Sequence, residues 1–233
     1  MPAPLALCEA SCSRAVGAEM SQVVKASVAL ERATLNLVLG APGSGKNLLL
    51  RLLGLMEKPD RGELFVLGKP TRDWPDAERT EVRSRHFGFV FESPFLLPSF
   101  NVVENIAMPL FKLTGATPES AREETQRVLD FTGLQALSET AVERLSLAVQ
   151  LRVSLARALV TKPMALFVEN VDAVLRDDDL ICFFELLGAA RRVFDCCIVA
   201  TAAGRELVAF GSRAIEMEQG GIVRDWIPGG LLS

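Results

Sequence analysis

The chain has 233 residues, enough for one full-sized domain with a sizeable core. Its apolar fraction of 49% excludes a disordered polymer, and a formal net charge of −4 argues against nucleic acid, whose phosphates call for a basic face. No uncharged apolar run approaches the ~18 residues of a membrane-spanning helix.

The five cysteines are Cys8, Cys12, Cys182, Cys196 and Cys197. They have no metal-ligand spacing, and the odd count fits reduced thiols packed as small core residues in a cytoplasmic protein. Leu5-Ala6-Leu7-Cys8 lacks the preceding basic residues and apolar run of a lipidation signal, so it is read as ordinary chain.

Short apolar runs at 5–7, 23–30 and 34–39 predict strands. A helix is expected from Lys46 to about Met56, bounded by Gly45 and by Lys58-Pro59. A strand follows over 62–67, then a polar helix over 76–85 and a strand over 87–91. Residues 93–160 change character and predict helices at 102–110, 119–132 and 142–160. Strand-like runs return at 165–168 and 197–201 with a helix between them. An α/β pattern interrupted by a helical block predicts one domain, with residues 1–92 and 161–233 as the core and 93–160 as an inserted helical subdomain.

Gly40-Ala41-Pro42-Gly43-Ser44-Gly45-Lys46-Asn47 lies between the third strand and the first helix. Glycines let successive backbone N–H groups converge on one anion, the helix N-terminus adds positive potential, and Lys46 reaches outer phosphates. The last position of such a loop wants a hydroxyl to ligate Mg²⁺. Asn47 offers an amide oxygen instead, so phosphate binding survives better than metal placement.

The order of segments beyond this loop resembles the ABC ATPases, in particular the lipoprotein-release and macrolide-export group. Gly88-Phe89-Val90-Phe91-Glu92, followed by Asn101-Val102-Val103-Glu104-Asn105, resembles that group's glutamine-loop region. Residues 145–159 resemble the signature motif and its helix, and 163–170 the Walker B strand. The resemblance runs over about 5–225 and implies a P-loop NTPase core of RecA-like type, mostly parallel, with an antiparallel N-terminal part. It also implies head-to-tail dimers with a like chain or another ABC ATPase. A permease contact through 92–110 and a peripheral place on the inner face of the cell membrane go with it.

The chain departs from that family's pattern at its chemical positions. Glu92 stands for the glutamine. Ser146 is kept in the signature, but Leu147 and Ala148 replace two glycines where a partner's nucleotide would approach closely. Glu169 stands for the Walker B aspartate and Asn170 for the catalytic glutamate. An amide cannot accept the proton of an attacking water, and losing a general base costs on the order of 10²–10⁴ in rate. Arg176 stands where the dimer-contact loop expects aspartate, unless a one-residue slip puts Asp177 there. Ala202 takes the switch histidine's place, and the chain's one histidine, His86, precedes the 87–91 strand. The family stacks adenine on an aromatic near the first strand, yet no aromatic precedes Phe65.

The resemblance therefore implies weak binding of ATP or ADP and poor Mg²⁺ placement at Asn47 and Glu169. The expected function is a non-catalytic, regulatory subunit of a transport complex. The alternatives are a weak or partner-dependent ATPase that energises export or lipoprotein transport through a composite site, and a stand-alone anion or nucleotide sensor.

Overall fold

Residues 3–16 and 19–229 are described by a computed structural model. The chain opens with an antiparallel pair, β1 (Leu5–Val16) and β2 (Glu19–Leu30), followed by β3 (Leu35–Leu39) and α1 (Lys46–Leu53). Next come β4 (Arg61–Val66), β5 (Lys69–Pro70), α2 (Asp76–His86) and β6 (Phe87–Val90). Three helices occupy the middle of the chain: α3 (Val102–Pro109), α4 (Pro118–Thr132) and α5 (Leu147–Leu159). The last part alternates again, with β7 (Ala165–Val168), α6 (Asp177–Val193), β8 (Cys197–Ala202), β9 (Arg213–Glu218) and β10 (Gly221–Trp226).

These strands form two sheets. One is antiparallel, in the order β2-β1-β4-β5, and the other runs β10-β9-β3-β8-β7-β6, parallel except for β10. Every residue of β3, β7 and β8 is buried. Continuous apolar runs of this kind are what a parallel sheet covered on both faces requires.

The two faces are sorted by the period-2 alternation of side chains. Leu35, Leu37, Leu39, Leu166 and Val168 join a core that includes α3, α4, α5 and α6. Val38, Ala165, Phe167 and Val199 point to the other side, against α1 and the antiparallel sheet. Phe167 lies between Phe87 and Phe89, with ring centroids 5.3 and 5.2 Å away.

The structure changes several expected boundaries. The first strands are far longer than 5–7 and 23–30, because β1 and β2 pair along most of their length around an irregularity near Glu9. The helix over 142–160 is broken. Val142–Arg144 is a single 3₁₀ turn, Leu145 is extended, and Ser146 starts α5 anew by accepting a hydrogen bond from the Val149 N–H at 3.4 Å. A serine side chain competes for backbone donors in this way, which favours a helix start over a helix interior. Strands β9 and β10 had no counterpart among the sequence expectations.

A candidate phosphate loop and its neighbouring loops at the sheet edge

In a parallel sheet the loops beyond the carboxyl ends of the strands gather at one edge. Register places Leu39 opposite Ala202, Val168 opposite Ala200 and Val90 opposite Val168. The loops that begin at Gly40, Phe91, Glu169 and Ala203 therefore emerge side by side. The Gly40 N–H donates to the Ala202 carbonyl at 3.2 Å and the Glu169 N–H to the Val90 carbonyl at 2.9 Å, which ties the strand ends together.

The loop from Gly40 to Asn47 curls because Gly43 and Gly45 have φ of 80° and 92°, a region that favours glycine. Gly40 is held to glycine for another reason: a β-carbon there would lie 2.7 Å from the Met217 carbonyl oxygen. The loop closes on itself through the Ser44 N–H to the Ala41 carbonyl, 3.1 Å, and is fastened from β9–β10 by the Gly220 N–H to the Ser44 carbonyl, 3.0 Å. Gly45 precedes α1 in a left-handed conformation, and the first N–H groups of α1, which have no partner within the helix, lie at the end of the loop.

Three polar groups mark what this loop can take. Lys46 is buried, and its Nζ reaches the Ala41 carbonyl at 3.4 Å. Burial lowers its pKa, and the negative charge of Asp172 works against that shift. Ser44 Oγ and Asn47 Oδ1 are buried without a hydrogen-bond partner. A buried donor left unpaired is costly, and an anion cradled by the loop would accept from Ser44 Oγ. The orphaned Asn47 carbonyl oxygen suits a hard cation or a donor. The loop therefore fits phosphate, with Asn47 a neutral candidate ligand for Mg²⁺. A cavity of ≈ 530 Å³ adjoins it, lined by residues 39–44, Ala203, Arg205 and 216–219, none of them aromatic.

Beside the phosphate loop, the segment after β7 is arranged differently. Glu169 is half-buried, and its pKa is raised by burial first, with Glu92 adding to the shift and Arg51 opposing it. Asn170 has φ 50°, a left-handed conformation that Asn tolerates better than Glu. Its N–H donates to Thr201 Oγ1 at 3.1 Å, and its Oδ1 accepts from the same hydroxyl at 3.3 Å. Asp172 Oδ2 accepts the Ala203 N–H at 2.7 Å. Arg176, just before α6, turns its guanidinium back onto the carbonyls of Asp172, Ala173 and Leu175. Asp177 opens α6, whose first turn carries Asp177, Asp178 and Asp179.

The remaining site residues are spread around this edge. Ala202 is fully buried and ends β8, and Glu92 is exposed in the loop after β6. His86 is exposed at the last residue of α2, where β6 begins, so it lies at the opposite end of the sheet from Ala202. Ser146, Leu147 and Ala148 form the start of α5, with Leu147 41% exposed. Among the described residues no group of three or more His, Cys, Asp or Glu side chains is placed to hold a metal ion.

Sequence reasoning missed three residues that organise the edge. Thr201 and Asp172 hold the loop after β7 from β8. Arg157 of α5 donates to the carbonyls of Phe95 and Pro94 at 2.8 and 2.9 Å, binding the loop after β6 to the helix that Ser146 starts. The faint signals were a Thr beside Ala202 and a carboxylate three residues past Glu169.

Beyond that loop the chain is well fixed. Buried Asn105 accepts the Leu97 N–H at 2.8 Å and donates to the Leu97, Phe100 and Asn101 carbonyls. Asn101 and Glu104 form a reciprocal cap on α3. Around this frame Phe95 and Phe111 are 67% and 53% exposed. A mainly apolar groove of ≈ 510 Å³ runs past Phe100, Val103, Ala107, Met108 and Phe111.

A glycine loop between a parallel strand and a helix, at the carboxyl edge of a sheet in this order, defines a P-loop NTPase fold. The chain belongs to the ABC transporter family, whose model matches residues 23–170. It is 34% identical over 199 residues to the lipoprotein-releasing system ATP-binding protein LolD of Bordetella pertussis, covering 85% of this chain and 86% of that protein. The LolD of Psychrobacter arcticus is 31% identical over 183 residues, covering 78% and 81%. The dimeric ATP-binding cassette MJ0796 bound to ADP and Pi superposes with a TM-score of 0.85 at 25% identity, over 97% of this chain and 100% of that one. The cbiO1 protein of Clostridium perfringens, part of the ABC transporter complex cbiONQ, gives a TM-score of 0.87 at 20% identity, over 98% and 90%, a likeness of fold.

Proposed function

We propose that this chain is a nucleotide-binding subunit of an ABC-type membrane transport complex that binds phosphate at Gly40–Asn47 without appreciable hydrolysis. The observation that carries the reading is Asn170. It stands where the family's general base belongs, and both its N–H and its Oδ1 are engaged with Thr201. The amide supplies no basic group to accept the proton of an attacking water. Ala202 brings no titratable group to the switch position.

The same reading gives residues 92–110 a partner. The exposed Phe95, the apolar groove along α3 and the rigid Asn105 frame suit an apolar helix of an integral-membrane permease. The names of the relatives support a part as the ATP-binding protein of a lipoprotein-releasing or related system, and the permease contact of this reading puts the chain on the inner face of the cell membrane. The cassette likeness supports dimers, either with a second copy or with another ABC ATPase. A second reading, a partner-dependent ATPase, draws on the exposed start of α5 at Ser146, although the Leu147 side chain projects there too.

Binding of a fluorescent ATP analogue to the purified chain, with Mg²⁺ and with chelator, tests the site. The expected result is binding that changes little with Mg²⁺ and disappears in Lys46→Ala. Strict Mg²⁺ dependence would contradict the weakened metal site at Asn47 and Glu169. For the docking surface, Phe111→Glu should release the chain from membranes while leaving nucleotide binding intact.

A further inference from the structure

Phe95 stands against its own local preferences twice over. Its φ of 46° is a left-handed backbone in which a bulky side chain is strained, and its ring is 67% exposed to water. Strain of this kind persists only where the surroundings impose it, and it gathers at functional sites.

Two contacts impose it here. From α5, Arg157 donates through Nη1 to the Phe95 carbonyl at 2.8 Å and through Nη2 to the Pro94 carbonyl at 2.9 Å. Those carbonyls belong to the two peptide planes that meet at the Phe95 α-carbon, so holding both fixes its φ and ψ. A planar guanidinium can grip two successive carbonyls at once, and a lysine ammonium, a single point donor on a flexible stem, cannot hold them in the same fixed geometry. Burial lowers the pKa of Arg157, and its hydrogen bonds among the described residues go to these two carbonyls. From the sheet, a row of rings supports the side chain. Phe95 meets Phe91 edge-on at 5.7 Å, Phe91 stacks on Phe89 at 5.9 Å, and Phe89 stacks on buried Phe167 at 5.2 Å. The exposed ring is thus the outer end of a row that starts in the core.

We infer that Arg157 is a positioning residue for docking on the permease: its two bonds set the peptides on either side of Phe95 so that the ring stands out as a contact for an apolar helix of that partner. The inference rests on the proposed docking through residues 92–110 and names what organises it. Arg157 acts through Phe95, and the backbone conformation it imposes exchanges local strain for a preformed contact, which lowers the ordering cost of binding.

The test is retention of the purified chain on inner-membrane vesicles from cells that carry it, stripped of peripheral proteins, with protein-free liposomes of the same lipids as control. The unaltered chain should be retained on the vesicles and not on the liposomes. Phe95→Ala and Arg157→Met should each weaken retention about tenfold, as loss of an aromatic anchor does. The double variant should fall within about threefold of either single one, because residues that act through one contact are not additive. A second readout needs no partner. Phe95→Trp labelled with fluorotryptophan gives a fluorine resonance absent from the parent chain, and adding Arg157→Met should shift it and change its solvent exposure. A merely structural arginine would lower the unfolding midpoint and leave that resonance in place. Where Arg157→Met fails to fold, Arg157→Lys keeps the charge and should still shift the resonance and weaken retention.

Unchanged retention in Phe95→Ala or in the folded Arg157 variant, additive losses in the double variant, or an unmoved resonance would each overturn the inference. If Phe111→Glu still releases the chain in that event, the docking reading stands without it. Failure of the unaltered chain to bind the vesicles, or equal binding to the liposomes, would overturn the inference and the docking reading together.

Discussion

Two loops lie side by side at the carboxyl edge of one sheet, and they satisfy their polar groups in opposite ways. Gly40–Asn47 leaves Ser44 Oγ and Asn47 Oδ1 buried and unpaired, and it holds Lys46 against a burial penalty. The segment from Glu169 to Arg176 meets its own needs: Asn170 with Thr201, Asp172 with Ala203, Arg176 with three carbonyls of its own turn. The first is built to be completed by a ligand. The second is closed by internal bonds. Under the proposed function, binding draws on the first loop, and the second serves as a structural latch.

The largest expected effect comes from removing what both loops stand on. Phe167→Ala empties the buried middle of β7 between Phe87 and Phe89 and should cost about 3–5 kcal/mol in denaturant unfolding. Both loops should suffer, with nucleotide binding lost alongside stability.

Next in size is the latch alone. Thr201→Val removes the buried hydroxyl that serves Asn170 and should cost about 1–3 kcal/mol, because the Asn170 N–H loses its acceptor. Phosphate affinity should change little. A parallel loss of affinity would show that the two loops are one unit and erase the contrast.

The phosphate loop should show the reverse pattern. Lys46→Met should abolish phosphate binding yet raise stability, by roughly 0.5–2 kcal/mol, by removing a buried charge. The sign follows from linkage. The folded-state pKa of Lys46 lies below its unfolded value of about 10.4, so the folded chain binds fewer protons between the two. Stability should therefore rise with pH through that window in the unaltered chain, and this rise should be reduced in Lys46→Met.

The smallest effects are local. Ser146→Ala removes a long cap bond at the start of α5 and should cost about 0.5–1 kcal/mol. Thiol labelling under native conditions should modify exposed Cys8 and Cys182 and spare Cys196 and Cys197, whose pKa values burial pushes up to about 12.

Much of this was legible in the sequence, and the rest was hidden for identifiable reasons. The strand-loop-helix of 35–53 could be read because its signal is local: an apolar run, three glycines and a lysine, then an amphipathic period. The break before α5 was hidden because Leu145, Leu147 and Val149 continue an apolar run through Ser146, and no Glu or Gln follows at Val149 to complete a capping box. Strand β10 was hidden because it is an edge strand with much of its surface exposed, so it lacks a core-facing pattern. The partners of Asn170 and Asp172 were beyond reach because both bonds join residues 31 apart in the chain, through the register of β7 and β8. The changed residues themselves were plain. What they had become attached to was not.

ATP turnover by the purified chain decides between a latch and a working loop. The rate of phosphate release should equal that of Asn170→Ala and of Lys46→Ala, at background. Turnover by the unaltered chain that either substitution abolishes would contradict the account, because it would make the closed loop a catalytic one.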